Sequence, residues 1–184
     1  MMDLTIATLR FDEIDALLDL QRENLKSNLT ESEIAQQGFV TFVYTPQDMA
    51  DMMAEAPQII VKHDDLIVGY ALVVTQKYAA TNASLNAVLQ LVNTLDYQNE
   101  PLKGKAFYFV GQVCVRKGYR GMGIFDKLYA GHRSLLSAQY DYTITEVAIE
   151  NARSMAAHYR VGFESIHRYD DGIVWDIILM NTKQ

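Results

Sequence analysis

Cysteine is nearly absent from this chain: Cys114 is the only one in 184 residues, so no intramolecular disulfide can form. Paired metal-ligand spacing is also missing, because His63, His132, His158 and His167 stand apart, which argues against a bound metal and against metal catalysis. There are only three prolines, and no repeat, low-complexity stretch or linker divides the sequence. A single domain over 1–184 is therefore expected. Long hydrophobic runs are lacking as well: Leu66–Thr75 and Ala106–Val115 are the longest, far below the ~20 residues that span a bilayer. Met1–Arg10 does not have the charged-then-apolar pattern of a secretory signal, so the expected compartment is the cytoplasm, with no membrane partner. Basic residues occur singly or in pairs against a net charge of -7, which leaves no footprint for nucleic acid.

What is present is an ordinary globular composition, 49% hydrophobic and 21% charged. Leu4–Leu9 reads as a strand and Asp12–Asn24 as a helix, with Ile14, Leu17, Leu18 and Leu20 at helical spacing. Thr30-Glu31-Ser32-Glu33 has the form of a capping box opening a helix over Glu31–Gln37. Thr45-Pro46 opens another, with Met49, Met52 and Met53 as its apolar stripe. Gln58–Lys62 and Leu66–Gln76 flank a hairpin turn at His63-Asp64-Asp65. Thr81–Leu95 has helical period and reads as an elaboration between strands.

Ala106–Val115 is a continuous apolar run suited to a strand buried on both faces, followed by a helix over Ile124–Ala138 and a strand over Thr143–Ile149. That order implies a right-handed parallel crossover. A helix over Asn151–Val161 and a hairpin of Phe163–Tyr169 with Ile173–Met180 complete the chain. The expected fold is α/β (α+β): a mixed central sheet of about seven strands with one parallel pair, flanked by helices.

Gly118-Tyr119-Arg120-Gly121-Met122-Gly123 lies between the buried strand and the helix, so its amides face outward at a helix N-terminus, an anion site. Glycines at 121 and 123 let a phosphate approach those amides. No Gly-Lys-Ser/Thr follows, and no third glycine stands three residues after Gly123, so neither a nucleotide P-loop nor a dinucleotide fingerprint fits. Val113-Cys114-Val115 followed by Tyr119-Arg120-Gly121-Met122-Gly123-Ile124 resembles the acetyl-coenzyme A motif of the GNAT superfamily of N-acetyltransferases. Downstream, Asn151-Ala152-Arg153-Ser154, His158 and Gly162-Phe163 are similar to the second signature of that family.

The resemblance implies a GNAT-like acyl-CoA N-acyltransferase fold and an enzyme that transfers acetyl from acetyl-CoA to a primary amine of a small molecule or peptide by direct attack. It implies that the pyrophosphate sits on the turn from Arg120 through Gly121, Met122 and Gly123 to Ile124, and that the pantetheine pairs with Val113, Cys114 and Val115. Asn151, Ser154 and His158 fall at roughly 0, 300 and 340 degrees around a helix and share one face. By the resemblance Asn151 and Ser154 hold the cofactor and His158, where the family usually has tyrosine, donates to the leaving sulfur. Gly118 and Phe125 depart from the family pattern.

An amine of pKa near ~10.4 must lose a proton to react. Phe107–Val115 offers no carboxylate, so Glu146 and Glu150 on the next strand are the candidate bases, beside a water held by Gln112 or Tyr108. Cys114 has no His or Asp at activating spacing, which disfavours an acyl-enzyme. The family resemblance implies an acceptor pocket near Gly38, Phe39 and Val40. A homodimer is permitted by the sequence. The rival expectation is a coenzyme A-binding regulatory module without catalysis.

Overall fold

The computed structural model describes residues 3–37 and 39–183. In chain order the elements are β1 (Leu4–Thr8), α1 (Ile14–Glu23), α2 (Glu31–Gln37), α3 (Pro46–Glu55), β2 (Ile59–His63), β3 (Leu66–Thr75), α4 (Gln76–Ala79) and α5 (Ala83–Val92). They continue with β4 (Asp96–Tyr97), β5 (Glu100–Pro101), β6 (Phe107–Val115), α6 (Ile124–Leu136), β7 (Tyr142–Ala148), α7 (Ala152–Arg160), β8 (Glu164–Asp170) and β9 (Val174–Asn181).

Seven strands form one mixed sheet in the order β1-β2-β3-β6-β7-β9-β8, in which β6 and β7 are the parallel pair. Alternating side chains bury against helices on both faces. On one face Leu17 and Leu20 of α1, Met49 and Met52 of α3, and Leu89 and Val92 of α5 pack with Tyr70, Leu72, Phe107 and Phe109. On the other, Ile124, Leu128 and Tyr129 of α6 and Met155 of α7 pack with Ile59, Val68, Tyr108 and Val110. Close approach of α6 needs Gly131, where a Cβ would sit 2.9 Å from Ile59.

Helix starts follow the capping chemistry of the sequence. Thr45 accepts from the Asp48 amide at 3.2 Å while the Asp48 carboxylate accepts from the Thr45 amide at 2.8 Å. Thr30 and Glu33 make the same reciprocal pair. The helix expected over 81–95 is shorter, because Asn82 caps its start by accepting from the Ser84 and Leu85 amides. Two elements were not anticipated: α4, started by the Thr75 hydroxyl, and the β4–β5 ribbon, turned at Gln98 and Asn99 with φ of 52° and 65°. Four-residue and two-residue segments are too short to carry a period.

Two irregularities at the sheet centre prepare the site. The β3–β6 register slips between Ala71 and Val73, which places a bulge at Gly111-Gln112. The parallel β6–β7 ladder stops after Phe109 and Ile144. Beyond it Thr145 Oγ1 donates to the Val110 carbonyl at 2.8 Å, a side-chain bond in place of the next ladder rung, and the strands part.

Candidate active site

A cleft of about 510 Å³ opens where β6 runs into α6, walled by Val113, Cys114, Val115, Arg120, Gly121, Gly123, Ile124, Asn151 and Ser154. The turn that forms its floor carries three glycines with positive φ: Gly118 at 90°, Gly121 at 79° and Gly123 at 74°. A Cβ at Gly121 or Gly123 would meet nothing within 4 Å, so backbone shape, not crowding, requires glycine there. Gly123 is the N-cap of α6 and has no side-chain cap, which leaves the first-turn amides available to an anion.

Positive charge gathers around the same cleft. Arg120, Arg153 and Arg160 all line it. Arg120 is steered inward by bonds from Nε to the Val115 carbonyl at 3.1 Å and from Nη2 to Asn24 Oδ1 at 2.5 Å. Burial lowers its pKa, and Arg153 nearby acts in the same direction. Arg160 is held by Asp126 at 2.9 Å. A cation-rich cleft with open helix amides fits a diphosphate well.

A second, narrower cavity of about 100 Å³ continues from it and shares Phe39, Val40, Val113, Asn151 and Ser154 as walls. Its lining includes Gly111, Gln112 and Val113 of β6 and Thr145, Glu146, Val147 and Ala148 of β7. Successive strand residues point to opposite faces. Residues of both orientations therefore border the cavity on each side of the gap between the parted strands. Gln112 braces it, donating to the Phe42 carbonyl at 2.8 Å and accepting from the Tyr70 hydroxyl at 2.5 Å. Behind Gly111 lies Tyr44, whose buried hydroxyl has no hydrogen-bond partner among the described residues and would stand 2.3 Å from a Cβ at 111.

Of the two candidate bases, only Glu146 faces this passage. Burial raises its pKa above the usual carboxylate range, Asp171 adds to the rise, and the Tyr169 hydroxyl opposes it by donating to Oε2 at 2.6 Å. Glu150 lies elsewhere: it is exposed and bound to Lys26 at 2.7 Å.

His158 departs from the role expected for it. The face shared by Asn151, Ser154 and His158 turns toward the sheet, but His158 is only 1% exposed and packs edge-on against Tyr129, Phe125 and Phe163. Nδ1 lies 2.8 Å from the Ser154 carbonyl, so it carries the proton and donates. Nε2 then accepts from the Tyr129 hydroxyl at 2.8 Å. Both ring nitrogens are engaged, and burial pushes the pKa down to about 4. Ser154 Oγ, 3.3 Å from Nδ1, accepts there as well, which leaves its own proton to donate toward the two cavities it lines.

Asn151 caps α7 by accepting from the Ser154 amide and donates to the Phe39 carbonyl at 3.3 Å. Cys114 lines the larger cleft, but burial lifts its thiol to about 12, which makes it a poor nucleophile. Met122 is 42% exposed and is not part of the cleft wall. Phe39 and Val40 line both cavities, while Gly38 lies outside the described residues. No group of three or more His, Cys, Asp and Glu among the described residues is placed to hold a metal ion. No helix among them is long and apolar enough to cross a membrane.

Sequence reasoning missed Arg153, Arg160 and Trp175. The two arginines stand seven apart on α7, a one-face spacing that was available to it. Trp175 reaches the passage from β9, a placement that only strand order reveals.

The sheet with one parted parallel pair, a glycine turn opening a helix and a capped helix alongside defines the GNAT fold class. No protein-family model and no curated protein matches the sequence. Solved structures do match. The ribosomal-protein-S18-alanine N-acetyltransferase from Escherichia coli is similar with a TM-score of 0.63 at 11% identity, over 99% of this chain and 96% of that one. A GNAT family acetyltransferase from Streptococcus agalactiae gives 0.65 at 12% identity, over 98% and 96%. The protein yncA from Salmonella typhimurium, solved with its cofactor acetyl-CoA, gives 0.58 at 10% identity, over 98% and 95%. The likeness is one of fold, and this chain has the fold of the GNAT acetyltransferases.

Proposed function

We propose that the chain is a single-domain cytoplasmic N-acetyltransferase, with α5 as a helical elaboration, that transfers acetyl from acetyl-CoA directly to a primary amine. The observation that carries this reading is a pair of cavities that share Phe39, Val40, Val113, Asn151 and Ser154 as walls beside the point where β6 and β7 part. Donor and acceptor then meet at one point without a covalent enzyme intermediate.

On the donor side the amides of 121–126 and the guanidiniums of Arg120, Arg153 and Arg160 hold the phosphates. The free edge of Val113–Val115 pairs with the pantetheine, and Asn151 fixes the segment carrying Phe39. On the acceptor side Glu146 receives the ammonium proton, directly or through one water, and its raised pKa brings it nearer the pH at which it works. The neutral amine attacks the thioester carbonyl, the C–N bond forms, and as the C–S bond breaks the second proton shed by the nitrogen ends on the thiolate, giving amide and free thiol. Ser154 Oγ–H donates to the departing sulfur. That step replaces the His158 role that spacing suggested, because the His158 protons and lone pairs are already committed.

The fold neighbours support the reading, since the solved structures include an N-acetyltransferase and a protein with its cofactor acetyl-CoA. Thiol release from acetyl-CoA across a panel of amines tests the reading. Release that depends on added amine is expected. Tight coenzyme A binding with no release for any amine would instead mark a silent binding module, and no coenzyme A binding would overturn both.

A further inference from the structure

Charge in the narrow passage is one-sided. Among the described residues that line it, Glu146 is the single formally charged side chain at neutral pH; His158 is neutral there. Of the polar groups on the walls, Gln112 bonds Phe42 and Tyr70 and Thr145 bonds Val110, while Ser154 keeps its hydroxyl proton for the cavities. A second carboxylate stands near the mouth, where Asp171 accepts from Trp175 Nε1 at 3.0 Å and acts electrostatically on both Glu146 and Tyr169. Lys26 is bound to Glu150 and lies 4.6 Å above the Phe39 ring, and it is not among the residues that line the passage. The remaining walls include Phe39, Phe42 and Trp175, and Ile149 and Ile173, on the segments flanking Trp175, are exposed.

From this arrangement we propose that the acceptor is a primary ammonium whose neighbouring carbon bears an uncharged apolar or aromatic group and no carboxylate. The inference rests on the transfer reading above and narrows its acceptor. An ammonium gains from Glu146 and from the ring faces of Phe39, Phe42 and Trp175. A carboxylate on the adjacent carbon would enter the same passage opposite Glu146, with no cation among the described residues that line it, and like charges brought together in a partly buried site are costly. Free amino acids are thereby rejected by repulsion as much as by shape.

Phenylalanine amide and phenylalanine are the test pair, because they differ only in carboxamide against carboxylate. Phenylethylamine and a phenylalanine-initiated dipeptide amide are added to separate a free amine from a chain N-terminus as the source of the same chemistry. Two readouts are taken: kcat/KM by thiol release, and calorimetric binding of each amine to protein saturated with coenzyme A. The amide is expected to exceed the acid by about tenfold or more in both. Glu146→Gln should narrow the binding ratio by about threefold or more, since the carboxylate that lines the passage is gone and Asp171 remains outside the lining. Equal or better use of phenylalanine, or no binding by any of the four, overturns the inference. Preferential binding of the amide without thiol release would sustain it while removing the transfer reading.

Discussion

Tyr169 donates a 2.6 Å hydrogen bond to Oε2 of Glu146, so a phenol on β8 reaches past β9 to hold the carboxylate that faces the acceptor passage. A donor to the ionised carboxylate favours that form, while burial and Asp171 oppose it. The acid limb of the kcat/KM profile is therefore expected above the ordinary carboxylate range. Removing the hydroxyl with Tyr169→Phe should move that limb to higher pH by about one unit. An unmoved limb would separate Tyr169 from the titrating group.

Glu146→Gln keeps the shape of the passage but cannot take a proton. Its kcat should fall by about 10²- to 10⁴-fold, with a far smaller change in the affinity for acetyl-CoA. Steady-state kinetics with varied donor checks this, and Glu150→Gln, at an exposed position paired with Lys26, should stay within about twofold.

Ser154 and His158 should divide stability from chemistry. His158→Ala leaves a cavity among Phe125, Tyr129 and Phe163 and strands the Tyr129 hydroxyl, a loss on the order of 3 kcal/mol in urea unfolding. In His158→Gln, which fills more of the space, turnover at saturating acetyl-CoA should remain within a few-fold. Ser154→Ala should unfold near the native midpoint yet lose about tenfold or more in kcat. A large kcat loss in the glutamine variant would restore the imidazole to the reaction.

Two buried imidazoles set a pH dependence of stability. His132 and His158 are both held near a pKa of about 4 by burial, against an ordinary value of 6.5. Between those values the unfolded chain binds more protons than the folded one. The stabilisation is thus complete above pH 6.5 and lost as pH falls toward 4. Between pH 7 and pH 5 each should cost about 2 kcal/mol, read as a lower urea midpoint. The slope should roughly halve in His158→Gln.

Gly123 and Gly104 offer a matched comparison, since both have positive φ, 74° and 84°, and open space where a Cβ would go. Alanine at either strains the backbone by about 1–2 kcal/mol. Only Gly123→Ala should weaken acetyl-CoA binding, by about tenfold in calorimetry, because it alone shapes the amides at the start of α6.

Much of this architecture was legible in the sequence because its signals are local. The Thr45-Pro46 and Thr30-Glu33 caps, the period of α6 and the run through β6 each report on neighbours within one turn or one strand. The glycine turn was legible for the same reason. What local patterns cannot report is depth. His158, Ser154 and Asn151 share a face as their spacing required, yet whether that face meets solvent, cofactor or core depends on α7 packing beside Tyr129 of α6. Glu146 and Glu150 were equivalent in sequence, and four residues of strand and turn separate a half-buried carboxylate in the passage from an exposed one tied to Lys26. Trp175 could not be assigned at all before β9 was known to pair with β7.

The parted strands also divide what selection can alter independently. The walls found only on the acceptor side include Thr41, Phe42 and Trp175, whereas those found only on the donor side come from the glycine turn, the start of α6, and Arg153 and Arg160 of α7. Exchange of the first set can retune what is modified while the second, and the chemistry at the gap, stays untouched.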